Sequence, residues 1–261
     1  MAAEPPVLLE STGRVAWLVL NRPESRNALN RGTIHALRET LARLREDGEI
    51  WAVAVTGAGE RAFCAGADLK ERRTMNEEQV QDFVASIRGL MDDLASLPQP
   101  TVAVMNGAAY GGGLEMALAC DLRILDESAS VGLTETSLAI LPGAGGCARL
   151  PRLIGLARAK ELILLARRVP AREALEMGLI HRLAPAGGAR AAGQALLEEL
   201  LRNGPLALRA AKRALEAAVD LPLAEALQFE QVCYRSIIPT EDRLEALRAF
   251  AEKRPPRFQG R

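Results

Sequence analysis

The sequence predicts an α/β protein, and two observations carry that prediction. Short apolar runs typical of strands alternate with helical patterns as far as about residue 185, the rhythm of largely parallel strands joined by helical crossovers. From about residue 189 to the C-terminus the pattern is helical throughout. We therefore expect a strand-bearing core at 1–200 and a helical region at 201–261, where the excess of apolar faces suggests packing against another subunit.

Local patterns justify each element in order. Two apolar runs, 7–10 and 15–20, are split by Thr12-Gly13, which predicts a hairpin. Apolar residues recur at helical spacing over 31–45, and Asp47-Gly48 ends that helix. Further along, we expect a buried strand at 51–56, a polar-faced helix at 76–97, a strand at 101–105, a helix from the glycines at 111–113 to about Cys120, a strand at 121–125, and helices at 189–201, 205–219, 224–237 and 240–253.

Composition excludes several classes of function. The 33 acidic and 33 basic residues give a formal net charge of zero, which argues against a dedicated nucleic-acid or anionic-membrane binder. No segment approaches the roughly 20 apolar residues that a membrane span needs. The four cysteines are widely spaced without a C-x-x-C pair, so we expect free thiols and no metal site. The opening residues, MAAEPPVLLE, lack the features of a targeting signal, and we expect a cytoplasmic protein.

One glycine pattern resembles a dinucleotide-binding turn. The residues TGAGERA at 56–62 follow a strand and match the loose spacing G-x-G-x-x-A. The loop continues through Gly66 and does not open a helix at once, so no helix N-terminus is placed for a pyrophosphate. We therefore favour a surface turn over a dehydrogenase site.

Three other glycine-bearing loops leave strand-like segments and enter helical ones. They are CAGADLKE at 64–71, GGGLE at 111–115 and PGAGG at 142–146. Backbone N–H groups at a helix start can bind negative charge, and two of them converging on one oxygen would form an oxyanion hole. The glycines could equally serve close packing or positive φ. Local physics leaves the two interpretations open.

Two glutamates stand beside these loops. Glu115 lies in the first turn of its helix, where the helix dipole favours a carboxylate. Glu135 follows a short strand and precedes the apolar run 138–141, so it is either an edge charge or a buried functional group. Two carboxylates near one oxyanion hole would suit acid–base work on a carbonyl compound.

Several motifs together resemble the enoyl-CoA hydratase/isomerase (crotonase) family. They are NRPESRNALN, FCAGADLKE, NGAAYGGGLEMALACDLRI, GLTETSLAILPGAGG and the tail IPTEDRLEALRAFAEKRPPRF, and they span nearly the whole chain. The resemblance implies a spiral of ββα turns followed by C-terminal helices that build trimers, often paired into hexamers. The motifs are most similar to the methylglutaconyl-CoA hydratase branch.

The resemblance also implies roles for particular residues. The N–H groups of Ala67 and Gly112 would hold the thioester oxygen of an acyl-CoA substrate, and Glu115 and Glu135 would be the two acids of a hydratase. The N–H of Gly143 would orient the attacking water. Residues implied in binding coenzyme A are Arg26, Ala28, Ala65, Asp68, Leu69 and Lys70, with Phe250 and Lys253 reaching a neighbouring subunit's ligand.

This reaction class needs neither metal nor redox cofactor, because adding water is redox-neutral and coenzyme A belongs to the substrate. The favoured activity is therefore enoyl-CoA hydration, with methylglutaconyl-CoA hydration and double-bond isomerisation as alternatives. A non-enzymatic RNA-binding relative is disfavoured, because the helix at 31–47 contains no lysine. The chain departs from the family pattern at Tyr110 and at Cys147-Ala148, both beside the expected site, which leaves acyl-chain preference open.

Overall fold

Residues 4–261 are described in a computed structural model, and their first part forms four successive ββα turns. Residues 1–3, which belong to the segment judged for a targeting signal, lie outside the described residues. The turns are β1 (Val7–Thr12), β2 (Val15–Leu20) and α1 (Arg31–Glu46); β3 (Ala52–Gly57), β4 (Ala62–Cys64), α2 (Leu69–Arg72) and α3 (Glu77–Ala95); β5 (Thr101–Met105), β6 (Ala108–Tyr110) and α4 (Gly112–Ala119); and β7 (Leu122–Asp126), β8 (Ser130–Gly132) and α5 (Gly146–Ile154).

The rest of the chain adds two short strands and six helices to these turns. They are α6 (Leu156–Leu164), β9 (Val169–Pro170), α7 (Ala171–Glu176), β10 (Arg182–Ala184), α8 (Ala189–Leu201), α9 (Pro205–Ala218), α10 (Leu223–Ile237) and α11 (Glu241–Ala251). The helices from α8 onward follow the predicted positions closely. Within residues 4–261, no helix is long and apolar enough to cross a membrane.

From the second turn onward, the two strands of each turn divide between two sheets. Both strands of the first turn, the first strands of the later turns and β10 build a six-stranded sheet in the order β1-β2-β3-β5-β7-β10, which is parallel except where β1 pairs with β2. The second strands of the later turns and β9 build a four-stranded sheet in the order β4-β6-β8-β9, which is antiparallel only at β9. Each turn therefore lies beside the one before it, and the α/β prediction and its ββα spiral are confirmed.

Most of the small sheet was not predicted from local patterns, although a short strand was expected before Glu135, where β8 lies. Its strands β4, β6 and β8 are three residues long and lie inside the glycine-bearing stretches, so they are too short to show a period. A strand therefore separates 101–105 from the glycines at 111–113. The loop at 142–146 was expected to leave a strand, which is wrong, because a 3-10 turn at Glu135–Leu138 precedes it.

Both faces of the large sheet are buried along its inner strands β2, β3 and β5, whereas the edge strand β1 is largely exposed. One face packs against α1, α3 and the small sheet, through Leu18, Val55 and Met105. The other face carries Trp17 and Val104 and is covered by α8. The predicted division at residue 200 falls at the end of α8, a helix that packs on the sheet.

The C-terminal helices leave a large apolar surface exposed. Helix α9 packs against α10, yet Leu223 remains 75% exposed and Phe250 87% exposed. Further exposed apolar side chains on these helices are Leu215, Val219, Leu227, Tyr234, Leu244 and Leu247. Within the described residues nothing covers this surface.

Candidate active site

A cavity of about 110 Å³ lies where β4 and β6 end and α2 and α4 begin. It brings together all five residues for which the family resemblance implies a catalytic role. Its lining consists of Ala65, Gly66, Ala67, Leu69, Arg72, Phe83, Val84, Ile87, Gly111, Gly112, Glu115, Thr134, Glu135, Leu138, Ile140, Leu141, Gly143 and Ala144. One wall is therefore backbone from glycine-bearing loops, another carries carboxylates, and the remainder is mainly apolar.

Two loops of this wall touch because one residue is glycine. Gly66 adopts a φ of +91°, and a Cβ there would lie 2.8 Å from the carbonyl oxygen of Tyr110 and 3.1 Å from the amide nitrogen of Gly112. Either restraint alone disfavours a side chain. The loop after β4 is thereby held directly against the loop after β6.

This contact places two unused amide groups side by side. The ideal Cβ position of Gly112 lies 3.6 Å from the amide nitrogen of Ala67. Neither amide donates a hydrogen bond within residues 4–261, and both residues line the cavity. Two such N–H groups can bind one oxygen atom and stabilise negative charge that develops on it.

Glu115 is held firmly although it is only 3% exposed. Its Oε1 accepts hydrogen bonds from the amides of Ala144 and Gly146, each at 2.8 Å. Burial raises the pKa of Glu115, while these two amides and the charge of Arg149 act in the opposite direction. The other oxygen, Oε2, accepts no hydrogen bond within the described residues, so it is available to a ligand.

Glu135 begins the 3-10 turn and has fewer partners. Its Oε2 is buried and has no hydrogen-bond partner within the described part of the chain. Burial, together with a smaller effect of the nearby Glu115 carboxylate, raises the pKa of Glu135 to about 7. A carboxyl group with this pKa can give or take a proton near neutral pH.

The two carboxyl groups therefore sit in different environments. Glu115 has two amide donors that favour its charged form, whereas Glu135 has an orphaned oxygen and a like charge nearby. Environments of this kind separate a base from an acid. The cavity thus joins a candidate base, a candidate acid and a pair of oxyanion donors.

Gly143 does not bind Glu115, although two residues that follow it in the same loop do. The amides that bind Glu115 belong to Ala144 and Gly146, which the sequence analysis did not single out, although the run PGAGG contains both. The amide of Gly143 donates no hydrogen bond within residues 4–261, and the residue lines the cavity. Its predicted role in orienting water stays a prediction.

The residues predicted to bind coenzyme A fall into two groups. Arg26 and Ala28 lie beside the loop after β4, because the amide of Ala65 donates to the carbonyl of Arg26, at 3.0 Å. Leu69 and Lys70 are exposed on α2 at the same place. Phe250 and Lys253, on and just after α11, are exposed and do not line the cavity of their own chain as far as the structure describes it.

Asp68 has a structural role in addition to any predicted contact with ligand. Its carboxylate caps α2 by accepting from the amides of Lys70 and Glu71, and it pairs with Arg22 at 3.1 Å. Burial raises the pKa of Asp68, but Arg22 and the amides outweigh it and the pKa is lowered. Arg22 was not singled out from sequence, since its partner is 46 positions away.

The departures from the family pattern flank the cavity. The hydroxyl of Tyr110 lies 2.6 Å from Ser130 Oγ, and its ring lies 5.0 Å from the guanidinium of Arg168, so this side chain is engaged outside the cavity lining. Cys147 is exposed in the first turn of α5, next to Gly146. Burial and both glutamates raise the pKa of Cys147.

We expect Glu135→Gln to stabilise the fold at high pH. The folded-state pKa of about 7 exceeds the ordinary value of 4.5, so wild-type stability is lost as pH rises between these values. Glutamine does not titrate, so the melting temperature of the variant should exceed that of the wild type at pH 8, and the gain should fade by pH 4.5. Calorimetric melting across this range measures it, with exposed Glu60→Gln as the control. A variant that melts below the wild type at pH 8 would refute the burial argument.

The two-sheet ββα spiral and this cavity define an α/β protein of the crotonase class. The family model described as enoyl-CoA hydratase/isomerase matches residues 10–261. The human enoyl-CoA hydratase domain-containing protein 2, mitochondrial, is 48% identical over 251 residues, covering 95% of this chain and 86% of the relative. The chain therefore belongs to the enoyl-CoA hydratase/isomerase family.

Two further comparisons agree. The human methylglutaconyl-CoA hydratase, mitochondrial, is 44% identical over 257 residues, covering 97% of this chain and 76% of the relative. The crystal structure of enoyl-CoA hydratase from Bacillus anthracis matches with a TM-score of 0.96 at 47% identity, covering 98% of this chain and 100% of that one.

Proposed function

We propose that the protein is an enoyl-CoA hydratase, which adds water across the double bond of a 2-enoyl-CoA thioester to give a 3-hydroxyacyl-CoA. The observation that carries the proposal is the single cavity that joins two unused backbone amides to two carboxyl groups with raised pKa. The names of the relatives support the same class of reaction.

The amides and the carboxyl groups would divide the reaction between them. The N–H groups of Ala67 and Gly112 bind the thioester oxygen, which makes the β-carbon electrophilic and stabilises the enolate formed by addition. Oε2 of Glu115 takes a proton from the water that attacks the β-carbon. Glu135, protonated near neutral pH, supplies the proton to the α-carbon. Since hydration is redox-neutral, we expect no cofactor beyond the coenzyme A of the substrate.

One observation favours a more specific substrate, 3-methylglutaconyl-CoA. Arg72 lines the cavity, yet its guanidinium forms no ion pair or hydrogen bond within residues 4–261. The acyl group of 3-methylglutaconyl-CoA ends in a carboxylate, for which a guanidinium is the preferred partner. A hydratase of branched, carboxylate-bearing enoyl-CoA is therefore the second candidate.

A paired assay separates the two candidates. We expect loss of the enoyl-thioester absorbance band with crotonyl-CoA, and no such loss with either substrate would reject hydration altogether. Arg72→Met should lower kcat/KM for 3-methylglutaconyl-CoA about 10- to 100-fold if Arg72 pairs with its carboxylate, and should leave crotonyl-CoA unaffected. Arg73→Met, an exposed neighbour outside the lining, is the matched control. Equal losses on both substrates would reject the carboxylate contact.

The remaining alternatives have less support. A double-bond shift moves one proton between two carbons, which a single carboxyl group can do, whereas this cavity holds an acid and a separate base. An RNA-binding role would need a free basic helix, but Arg38 of α1 pairs with Asp93 and Arg45 donates to the backbone of α3. We expect no nucleic-acid partner.

Assembly and location are also part of the proposal. The exposed apolar side chains of α9–α11 fit the trimer, or hexamer of two trimers, that the family resemblance implies. Sedimentation analysis tests this directly. We keep a cytoplasmic location as an expectation, although several relatives carry a mitochondrial designation in their names.

A further inference from the structure

The loop that binds Glu115 is itself held by a side chain. Arg149, on α5, donates from Nη1 to the carbonyl of Ala144 at 3.1 Å. The backbone amide of Ala144 in turn donates to Oε1 of Glu115. One peptide segment therefore connects the guanidinium to the candidate base.

The other end of the guanidinium is fixed to α3. Its Nη2 lies 2.8 Å from Asp92 Oδ1, and the Arg149 side chain is only 25% exposed. The backbone amide of Arg149 also donates to the carbonyl of Gly145, at 2.8 Å. Arg149 thus links the loop at 142–146 to α3 and to the start of its own helix, α5.

We propose that Arg149 is a positioning residue, which holds the loop at 142–146 so that its amides grip Glu115 and leave Oε2 facing the cavity. The inference rests on the proposed hydratase function in so far as Glu115 is the base. It assigns a role to a residue that touches neither substrate nor reacting atoms. Any loss on its removal would act through Glu115.

Arg149 also contributes charge. Among the described residues it is the cation that lowers the pKa of Glu115. The other titratable or charged groups near Glu115 or Arg149 are Glu135 in the 3-10 turn, Cys147 on α5, Asp92 on α3, which pairs with Arg149, and Arg72 on α2, which lines the cavity. Removing the cation disfavours ionised Glu115, so the base should become protonated at a higher pH.

The test compares Arg149→Met with Arg152→Met, an exposed arginine on the same helix that pairs with Asp220. In Arg149→Met we expect the hydrogen-bonded amides of Ala144 and Gly146 to exchange hydrogen about threefold to tenfold faster, and the acidic limb of the kcat profile with crotonyl-CoA to move up by about one pH unit. Arg152→Met should match the wild type in both. Arg149→Lys keeps the charge, so its limb should stay near the wild-type position while exchange increases.

Each outcome decides the point. The inference would be overturned if Arg149→Met kept both the hydrogen-exchange rates and the acidic limb of the kcat profile of the wild type. A shifted acidic limb without faster hydrogen exchange would also overturn it. If Arg149→Met does not fold, Asp92→Asn removes the partner that fixes the Arg149 guanidinium to α3. Unchanged hydrogen exchange of the loop amides in Asp92→Asn then overturns the inference. If the wild type hydrates no enoyl-CoA, the proposed function fails, while the exchange measurement still decides whether Arg149 holds the loop.

Discussion

Replacing either glutamate of the cavity by glutamine lowers kcat for hydration by at least ~10²-fold, with little change in KM. Glu115→Gln keeps the shape of the side chain but cannot accept a proton from water. Glu135→Gln removes the group whose raised pKa of about 7 lets it carry a proton at neutral pH. Steady-state kinetics with crotonyl-CoA measure both effects.

The control for this pair is Glu60→Gln. Glu60 is an exposed acid in the turn between β3 and β4. The Glu60→Gln variant should retain the kcat of the wild type. The paired effects also need comparison with the double variant, since groups that act as a unit are not additive. Near-normal turnover in either single variant would overturn the assignment of two acids.

Gly113→Ala lowers the stability of the fold and displaces the site. A Cβ on Gly113 would overlap the carbonyl oxygen of Cys64 and lie 2.8 Å from its carbonyl carbon, so backbone of α4 meets backbone of β4 with no flexible side chain to give way. Overpacking of this kind costs about 1–3 kcal/mol, occasionally more. Denaturant unfolding should show the loss, and melting should fall by about 2–4 °C per kcal/mol.

Gly48→Ala is the matched control for that variant. No atom lies within 4 Å of a Cβ built on Gly48, which follows α1. The stability of this variant should equal or slightly exceed that of the wild type, because alanine restricts the unfolded chain. If Gly113→Ala were as stable as Gly48→Ala, the close approach of α4 to β4 would not be needed.

The long elements were predictable because each carries its own periodicity. The helix at 77–95 shows a buried stripe that includes Phe83, Leu90 and Leu94, and Asn76 with Gln79 forms the capping box that begins it. The strand at 101–105 is buried throughout. Such signals are local in sequence, so they can be recognised without knowledge of the tertiary structure.

Most of the small sheet, unlike its strand β8, was not predictable, for the opposite reason. Strand β6 is only three residues long and is held by β4 and β8, whose partner residues lie far away in sequence. Nothing in its local pattern distinguishes it from the glycine turn that follows. Its position nevertheless decides where the amide of Gly112 lies.

Local sequence patterns alone did not decide whether the glycine-bearing loops serve packing or catalysis. GGGLE was compatible with packing or catalysis, and both uses occur: Gly113 serves a close backbone approach, whereas Gly112 presents an unused amide to the cavity. The motifs at 64–71 and 132–135, in order and at matching spacing, favoured catalysis. A contact between residues that are distant in sequence, such as Arg149 with Asp92, could not be inferred, because nothing local pairs them.

The central claim is that the cavity directs water to the β-carbon and a proton to the α-carbon of an enoyl thioester. The most direct test is incubation of the wild type with crotonyl-CoA in deuterated water, followed by NMR of the product. The account predicts 3-hydroxybutyryl-CoA with the hydroxyl at the β-carbon and one deuterium added at the α-carbon. Recovery of a shifted double bond without added water would contradict it, and so would recovery of both crotonyl-CoA and 3-methylglutaconyl-CoA unchanged.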